Sequence, residues 1–457
     1  MIQRSREYLD EHGLPPAEML RTVLAEHRAG LGRMQKLRRA YDARGPILDR
    51  QRREGMPNNR IAHPYARYIT TIATGYMVGR PVTYSTIDES EMLQRIQEVF
   101  RIGSEAAENT QLARDQSIYG KGVEYVHVDA GDAPIPHTTA ISPECAFVVY
   151  SDTYDMEPLF GVYYMPRKRA DGTDDGWRVW VMSDTVIAQY TASAPDAVPS
   201  QLSMEQHFFG GVPIIEYWNN ESETGDFECV LPLIDAYDVL ESDRVNDKEQ
   251  FVDKLIVLTG AVLEEDERGR SPMQQLKEDK ALQLPDSQSK AQYLVSEMNE
   301  TSVEVLRKAL VEDIHKLSMV PDMSDQNFVQ NASGVAMRYK LLAFEQMVGV
   351  KQQWFTEGLR CRLKLFINFL SLRGVQAVEV KDINITFSHT LPVNMDENAQ
   401  TAGRAVDSGI ASTETGVRIL HTGEDWTEEN IAEEVERIRN EKAEEARAMV
   451  SPEDNFV

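Results

Sequence analysis

Cysteine is scarce. The chain of 457 residues holds three, Cys145, Cys229 and Cys361, far apart in sequence. That argues against a disulfide framework and fits a reducing compartment. Zinc-ligand spacing is lacking as well. The nine histidines are scattered, with no HExxH and no Cys/His cluster, so no metal is expected. There is no GxxxxGK(S/T), which excludes a P-loop ATPase, and no GxSxG nucleophile elbow. Gly120-Lys121-Gly122 joins a helix to a strand, the wrong order for a phosphate-cradling turn. No window approaches 18 uncharged apolar residues, so no membrane span is expected. Met1-Ile2-Gln3-Arg4 runs straight into charged residues without an apolar h-region, so a soluble chain made in a cytoplasm is expected. Positive charge is in short supply: 48 Lys and Arg stand against 74 Asp and Glu, for a net charge of −26. Such a chain does not condense onto nucleic acid by general attraction. Carboxylate pairs abound, as 74 acids guarantee, and none is singled out as a glycosidase pair. Neither an enzyme nor a cofactor is expected.

What remains is globular material, 42% hydrophobic and 27% charged, at a length fitting roughly two to four domains. Residues 1 to about 60 read as helical and polar. The arginines there, Arg38, Arg39, Arg44, Arg50, Arg52 and Arg53, are interleaved with Asp42, Asp49 and Glu54, which suits a solvated helix and loop more than a nucleic-acid patch. In AHPYARYITTIATGYMVGRPVTYS, residues 62–85, Tyr65, Ile69, Ile72 and Tyr76 recur at helical spacing with Arg67, Thr70, Thr71 and Thr74 between them. Gly75, Gly79 and Pro81 then break the pattern, and Val82-Thr83-Tyr84 reads as a strand. From 60 to about 230, helices mix with alternating strands at 123–128, 146–150, 161–165, 177–182, 185–190 and 213–217, an α+β domain with an antiparallel sheet.

The pattern changes at 231. A helix is expected from Leu233 to about Leu258, roughly 39 Å long. It carries Asp235, Asp238, Glu241, Asp243, Asp247, Glu249 and Asp253 against Arg244, Lys248 and Lys254. Between Leu240 and Phe251 the apolar stripe is interrupted by charge, a stretch that an ordinary monomer core cannot bury. Residues 260–300 are polar and suggest two or three short strands with a short helix. A second helix runs from about Ser302 to Ser318, and 320–334 reads as a loop. Ser333 can cap the longest helix, whose stripe Leu341, Phe344, Val348, Phe355, Leu359, Leu363, Phe366 and Leu370 ends at Gly374. A strand is expected at Asn384–Phe387. The tail from Asp396 reads as helical and acidic, its final helix opened by Thr427 or Asp425, and its last seven residues as disordered.

Three stretches, taken together and in order, resemble one family. PNNRIAHPYARYITTIATGYMVGRPVTYS (57–85), LPLIDAYDVLESDRVNDKEQFVDKLIVLTG (231–260) and NASGVAMRYKLLAFEQMVGVKQQWFTEGLRCRLKLF (331–366) are similar to segments of the portal proteins of tailed bacteriophages, in the subtype of long-tailed siphophages infecting Bacillus. The likeness covers about residues 40–440. It implies an α+β, mainly helical portal fold: an N-terminal segment 1–56, an α/β wing 57–230, a stem helix 231–259 and a small clip 260–300. A second stem helix 301–319, a tunnel loop 320–334, a long wing-spanning helix 335–374, a wing strand return 375–395 and a helical crown with an acidic tail 396–457 complete it.

The resemblance also implies a function. Copies of the chain, usually twelve, would form a ring at one capsid vertex, with double-stranded DNA passing through its channel during packaging and ejection. Asp325, Gln326, Asn327, Phe328, Val329, Gln330 and Asn331 of the tunnel loop would face that channel. Asp235, Asp238, Arg244, Asp247 and Lys248 would belong to the stem. Glu264, Glu265, Asp266, Arg268 and Arg270 of the clip would dock the packaging motor (the terminase large subunit) and later the head-completion adaptor. Major capsid and scaffolding proteins are further implied partners, the location is the virion after assembly in the host cytoplasm, and no membrane is involved. Among the readings of the residues themselves, a helical scaffold or adaptor without a channel, and a hydrolase with a concealed carboxylate pair, stay open.

Overall fold

A computed structural model describes residues 1–54, 56–88, 90–129, 134–252, 255–259, 290–294, 300–323, 334–388, 395–421, 426 and 428–450. In chain order the elements begin with β1 (Ile2–Arg4), α1 (Ala17–Ala29), α2 (Leu31–Tyr41), α3 (Tyr65–Val78), β2 (Thr83–Ser85), α4 (Glu91–Ile102) and α5 (Glu105–Tyr119). The strands β3 (Lys121–Val128), β4 (Pro136–Ile141), β5 (Ala146–Ser151), β6 (Pro158–Lys168), β7 (Asp174–Met182), β8 (Val186–Ala192), β9 (Ser200–Gln206) and β10 (Ile214–Trp218) follow. Next come α6 (Leu231–Val252), β11 (Leu255–Thr259), β12 (Lys290–Leu294), α7 (Glu300–Ser318) and α8 (Gly334–Ser371). The chain closes with β13 (Asn384–Thr386), α9 (Met395–Asp407), α10 (Thr413–Leu420) and α11 (Glu428–Val450). The fold is α+β. It divides into two compact units, one of Met1–Arg38, Tyr68–Glu228 and Met319–Val457, the other of Arg39–Arg67 and Cys229–Ser318.

The first unit is built on a six-stranded sheet in the order β1-β5-β6-β7-β8-β9, antiparallel except for the parallel β1–β5 pair. Strand alternation gives it two buried faces. On one face Phe147, Val149, Phe160 and Val162 pack with Leu20, Val23 and Leu24 of α1. On the other, Ala146, Val148 and Met182 pack with Val123 and Ile214 of a second sheet, β10-β3-β4. Helix α1, in a segment read only as helical and polar, presents a buried face of Leu20, Val23, Leu24 and His27 to the core. His27 is buried with that face, stacked on Phe147 at 4.4 Å, with Nδ1 2.9 Å from the Tyr164 hydroxyl and Nε2 3.0 Å from the Pro143 carbonyl. Burial holds its pKa down at about 4, so it sits there neutral.

Other differences from the sequence reading have local causes. The buried side of α3 consists of Ala66, Ile69, Thr70, Ala73, Thr74, Met77 and Val78, while Ile72 and Tyr76 are half-buried. Thr70 can face inward because its hydroxyl meets Ser117 Oγ of α5 at 3.1 Å. The helix expected to reach Leu258 stops at Val252. Leu255 and Leu258, taken as its last apolar turns, lie in β11, paired with Leu294 and Ala291 of β12. Strand β1 lies in a segment read as helical, and β4 and β9 had no reading, β9 because it is exposed along its whole length and shows no alternation. The Gly120-Lys121-Gly122 turn is a helix stop: Gly120 takes φ +88° and its N–H bonds the Gln116 carbonyl at 3.0 Å.

One guanidinium joins the layers of this unit. Arg362 of α8 is fully buried. Its Nε and Nη2 grip Glu124 of β3 at 3.0 and 2.6 Å, and Nη1 reaches Glu105 of α5 at 2.8 Å. Tyr217 of β10 donates to Glu124 and Tyr84 of β2 to Glu105, both at 2.7 Å. Asn109 adds a bond to Glu105 at 2.5 Å. The ring faces of Phe100 and Tyr217 lie 5.8 and 5.7 Å from the guanidinium carbon. Gly358, one helical turn before Arg362, makes room for this. A Cβ there would stand 2.4 Å from the Tyr217 ring. Burial disfavours the charged guanidinium, but Glu124, Tyr217 and Glu105 hold its pKa well above the ordinary value. A second buried ion pair, Lys351 of α8 with Asp226 at 2.5 Å, is completed by Ser117 and Asn219 at 2.6 and 2.9 Å. Removing one partner of such a cluster strands the others in low dielectric. Arg362→Met should lower the unfolding free energy by about 3–5 kcal/mol, and Arg362→Lys, which loses the fork, by an intermediate amount. Denaturant midpoints measure this, and an Arg362→Met protein as stable as wild type would refute the role assigned to the cluster.

Candidate functional site

Among the described residues, no group of three or more His, Cys, Asp or Glu is placed to hold a metal ion. No helix among them is long and apolar enough to cross a membrane. The second unit instead presents a surface made of α6, α7 and the segment 39–67.

The central stretch of α6 is not left bare by its charge. Asp238, Ser242 and Asn246 stand at i, i+4 and i+8 on one helical face, and all three are buried. Residues 59–63 run along that face in the opposite direction. Asn246 Oδ1 accepts from the Asn59 backbone N–H at 2.6 Å and from its side-chain amide at 3.1 Å. Ser242 Oγ accepts from the Ile61 N–H at 3.0 Å. Asp238 Oδ1 accepts from the His63 N–H at 2.9 Å and from His63 Nδ1 at 2.8 Å. Alternate backbone N–H groups of an extended segment thus meet every fourth side chain of a helix. Each rung satisfies a donor that would otherwise be buried without a partner. Burial pushes the Asp238 carboxyl above its ordinary value, against the pull of the two His63 bonds. Between the Ser242 and Asn246 rungs, Asp243 of α6 bonds Arg50 at 2.7 Å and pairs with Arg52. Below the Asp238 rung, Tyr65, Tyr237 and His315 form edge-to-face contacts at 5.3 and 6.0 Å.

The expectation that a monomer cannot bury the middle of α6 is corrected in part: Ser242 and Asn246 are buried, while Lys248 and Glu249 are exposed. The chain's own residues 59–63 bury its polar groups by bonding them. The sequence held two signals for this. Pro57 and Pro64 bracket the segment, and a residue before proline is driven to extended backbone. The i, i+4, i+8 row of short acceptors is the other. Asn59, Ser242 and Asn246 were missed because a polar side chain on a helix reads by default as solvated.

Of the stem residues named from the sequence, Asp238 belongs to the ladder. Arg244 lies 3.3 Å from Glu304 of α7 and 3.8 Å from Glu241, and Arg307 bonds Glu304 at 2.8 Å and Tyr237 at 3.5 Å. Lys248 pairs with Glu300 at 3.3 Å. Asp235 is half-buried near Gly45, where an added Cβ would lie 3.9 Å from its carboxylate, and Asp247 is half-buried further along α6. The structure brings these residues to one helix pair, but it gives them different work. The tunnel-loop residues Asp325 to Asn331 and the clip residues Glu264, Glu265, Asp266, Arg268 and Arg270 lie outside the described residues, as do the Ser333 cap and Asp425 and Thr427.

Helix α7 differs from α6. Over its 19 residues, burial reaches Ile314 and Ser318. Val305, Leu306 and Leu317 are 64%, 51% and 54% exposed. The ladder itself is open to a direct test. Asp238→Asn keeps the Oδ1 acceptor and should hold stability to within about 1 kcal/mol, whereas Asp238→Leu should cost about 1–3 kcal/mol by orphaning the His63 N–H. Chemical denaturation decides, and equal losses in the two variants would refute the ladder.

The profile of the family described as "Phage portal protein, SPP1 Gp6-like" matches residues 20–448. The chain is similar to the portal protein of Bacillus phage SPP1, with 24% identity over 433 residues, 91% of this chain and 82% of the relative. It is also similar to the portal protein of Clostridium phage phiCD119, with 22% identity over 470 aligned residues, 96% of this chain and 98% of the relative. A chain in the neck of an empty GTA particle, solved with C6 symmetry, covers 78% of this chain and 90% of its own length at a TM-score of 0.44 and 12% identity. With the family profile matching from α1 into α11, the chain belongs to the SPP1 Gp6-like phage portal protein family.

Proposed function

We propose that this protein is a portal subunit whose copies, about twelve by the usual count of closed heterologous rings of this kind, surround a channel for duplex DNA at one capsid vertex. The observation that carries the reading is the family match over residues 20–448. The exposure of α7 supports it physically. An amphipathic helix in a stable monomer buries its apolar stripe, and one that leaves Val305 and Leu306 in water invites a neighbour. In a head-to-tail ring, that neighbour is the next copy.

The charge suits a conduit. Each copy brings a net −26, and phosphates held strongly by Lys and Arg would have to be released at every step of transport. The loop at 320–334 is the expected exception, where Gln326, Asn327, Gln330 and Asn331 offer hydrogen bonds without fixed charge, with Asp325 at its start and Phe328 and Val329 between. The clip, 260–300, would dock the packaging motor and then the head-completion protein, with capsid and scaffolding proteins on the outside. The ATP chemistry of packaging belongs to the motor.

Two measurements test this. Light scattering of the purified protein should give a mass near twelve times 51.8 kDa, and Leu306→Asp should shift it to the single-copy mass while leaving the protomer folded. A wild-type protein at 51.8 kDa in all salt conditions would favour a non-channel scaffold instead. Replacing residues 326–330 with glycine should leave the ring intact and reduce DNA packaging or retention. Full packaging by that variant would overturn the loop assignment.

A further inference from the structure

The chain leaves α7 by an unusual route. Met319 takes φ +60°, the left-handed region that non-glycine residues seldom adopt. Val320 then turns inward and is fully buried. Next, one phenol on α3 holds the backbone at two points. The Tyr68 hydroxyl donates to the Pro321 carbonyl at 2.9 Å and accepts from the Met323 N–H at 2.9 Å. Its donor and acceptor capacities are used on either side of Asp322, so the group fixes direction as well as position. Burial raises the Tyr68 phenol above its ordinary value, which keeps the donor proton in place.

A left-handed methionine is strained, and it persists where its surroundings over-determine it. Here a buried valine and a two-point clasp do so within four residues. From the geometry we infer that Tyr68 is a positioning residue: it sets the direction in which the chain departs toward residue 324, and through that the presentation of the segment that meets DNA. The inference rests on the reading of 320–334 as the channel loop.

The test uses the full chain as assembled rings. Tyr68→Phe deletes one oxygen and keeps the ring shape, so both bonds are lost together. Hydrogen exchange followed residue by residue should show the Met323 amide speeding up about tenfold, with α3 amides and ring mass unchanged, and DNA packaging should fall severalfold. An unchanged Met323 amide refutes the clasp. A faster amide with full packaging confines Tyr68 to a local structural part and overturns the positioning role. If the glycine variant of 326–330 packages normally, the loop reading fails, and the exchange result on Tyr68→Phe still decides the clasp. Should Tyr68→Phe fail to assemble, wild-type rings suffice for the clasp itself: a Met323 amide exchanging at the free-peptide rate would refute it, and with it the positioning role.

Discussion

Arg362 is the constraint on which the larger unit depends. A guanidinium with no access to water is tolerable only if its donors are met by carboxylates, and those carboxylates are tolerable only if other donors meet their remaining lone pairs. Glu124 and Glu105 supply the first condition, and Tyr217, Tyr84 and Asn109 the second. The five partners come from β3, α5, β10 and β2, so the long helix α8 has one axial position and one rotation that satisfy them all. Lys351, eleven residues earlier on the same helix, has a comparable demand met by Asp226. Two polar fixtures thus set the register of a helix whose apolar stripe alone would permit sliding by a turn.

How much of this was legible in the residues depended on the kind of signal. Elements with a strong period were read well: α7, α8 and the strands β3, β5, β6, β7, β8 and β10 lie where alternation or helical spacing put them. Elements whose stability comes from neighbours were not. Strand β1 is three residues long and exists because β5 offers it a parallel edge, and β9 pairs with β8 while showing solvent on both faces. The inward Thr70 of α3 and the buried row on α6 were read the wrong way for one reason. Polarity in a sequence is taken as a sign of exposure, whereas burial follows from whether a partner is present. Arg362 sat inside the predicted stripe of α8 as an apparent surface residue, and nothing in its spacing announced two glutamates more than two hundred residues away.

Helices α6 and α7 differ in what they bond within the chain and what they leave exposed. Polar groups along α6 are spent within the chain, on residues 50, 52 and 59–63. Of the acids of α6, Asp238 and Asp243 are bonded in this way. Apolar surface on α7 is what the protomer leaves uncovered, and a surface of that kind binds by area and shape more than by charge. An assembly held that way tolerates changes of salt better than one held by ion pairs, which are screened.

The backbone ladder on α6 has a built-in length limit. Four helical residues advance about 6.0 Å, while two extended residues advance about 6.6 Å. The two rulers drift apart by about 0.6 Å per step, so they act as a vernier that is in phase over only a few graduations. Starting from a good fit at Ser242, one step either way stays within hydrogen-bonding tolerance. A further step would not. The incommensurate pitch of helix and strand therefore caps this strap at three rungs, whatever side chains selection might place on either track.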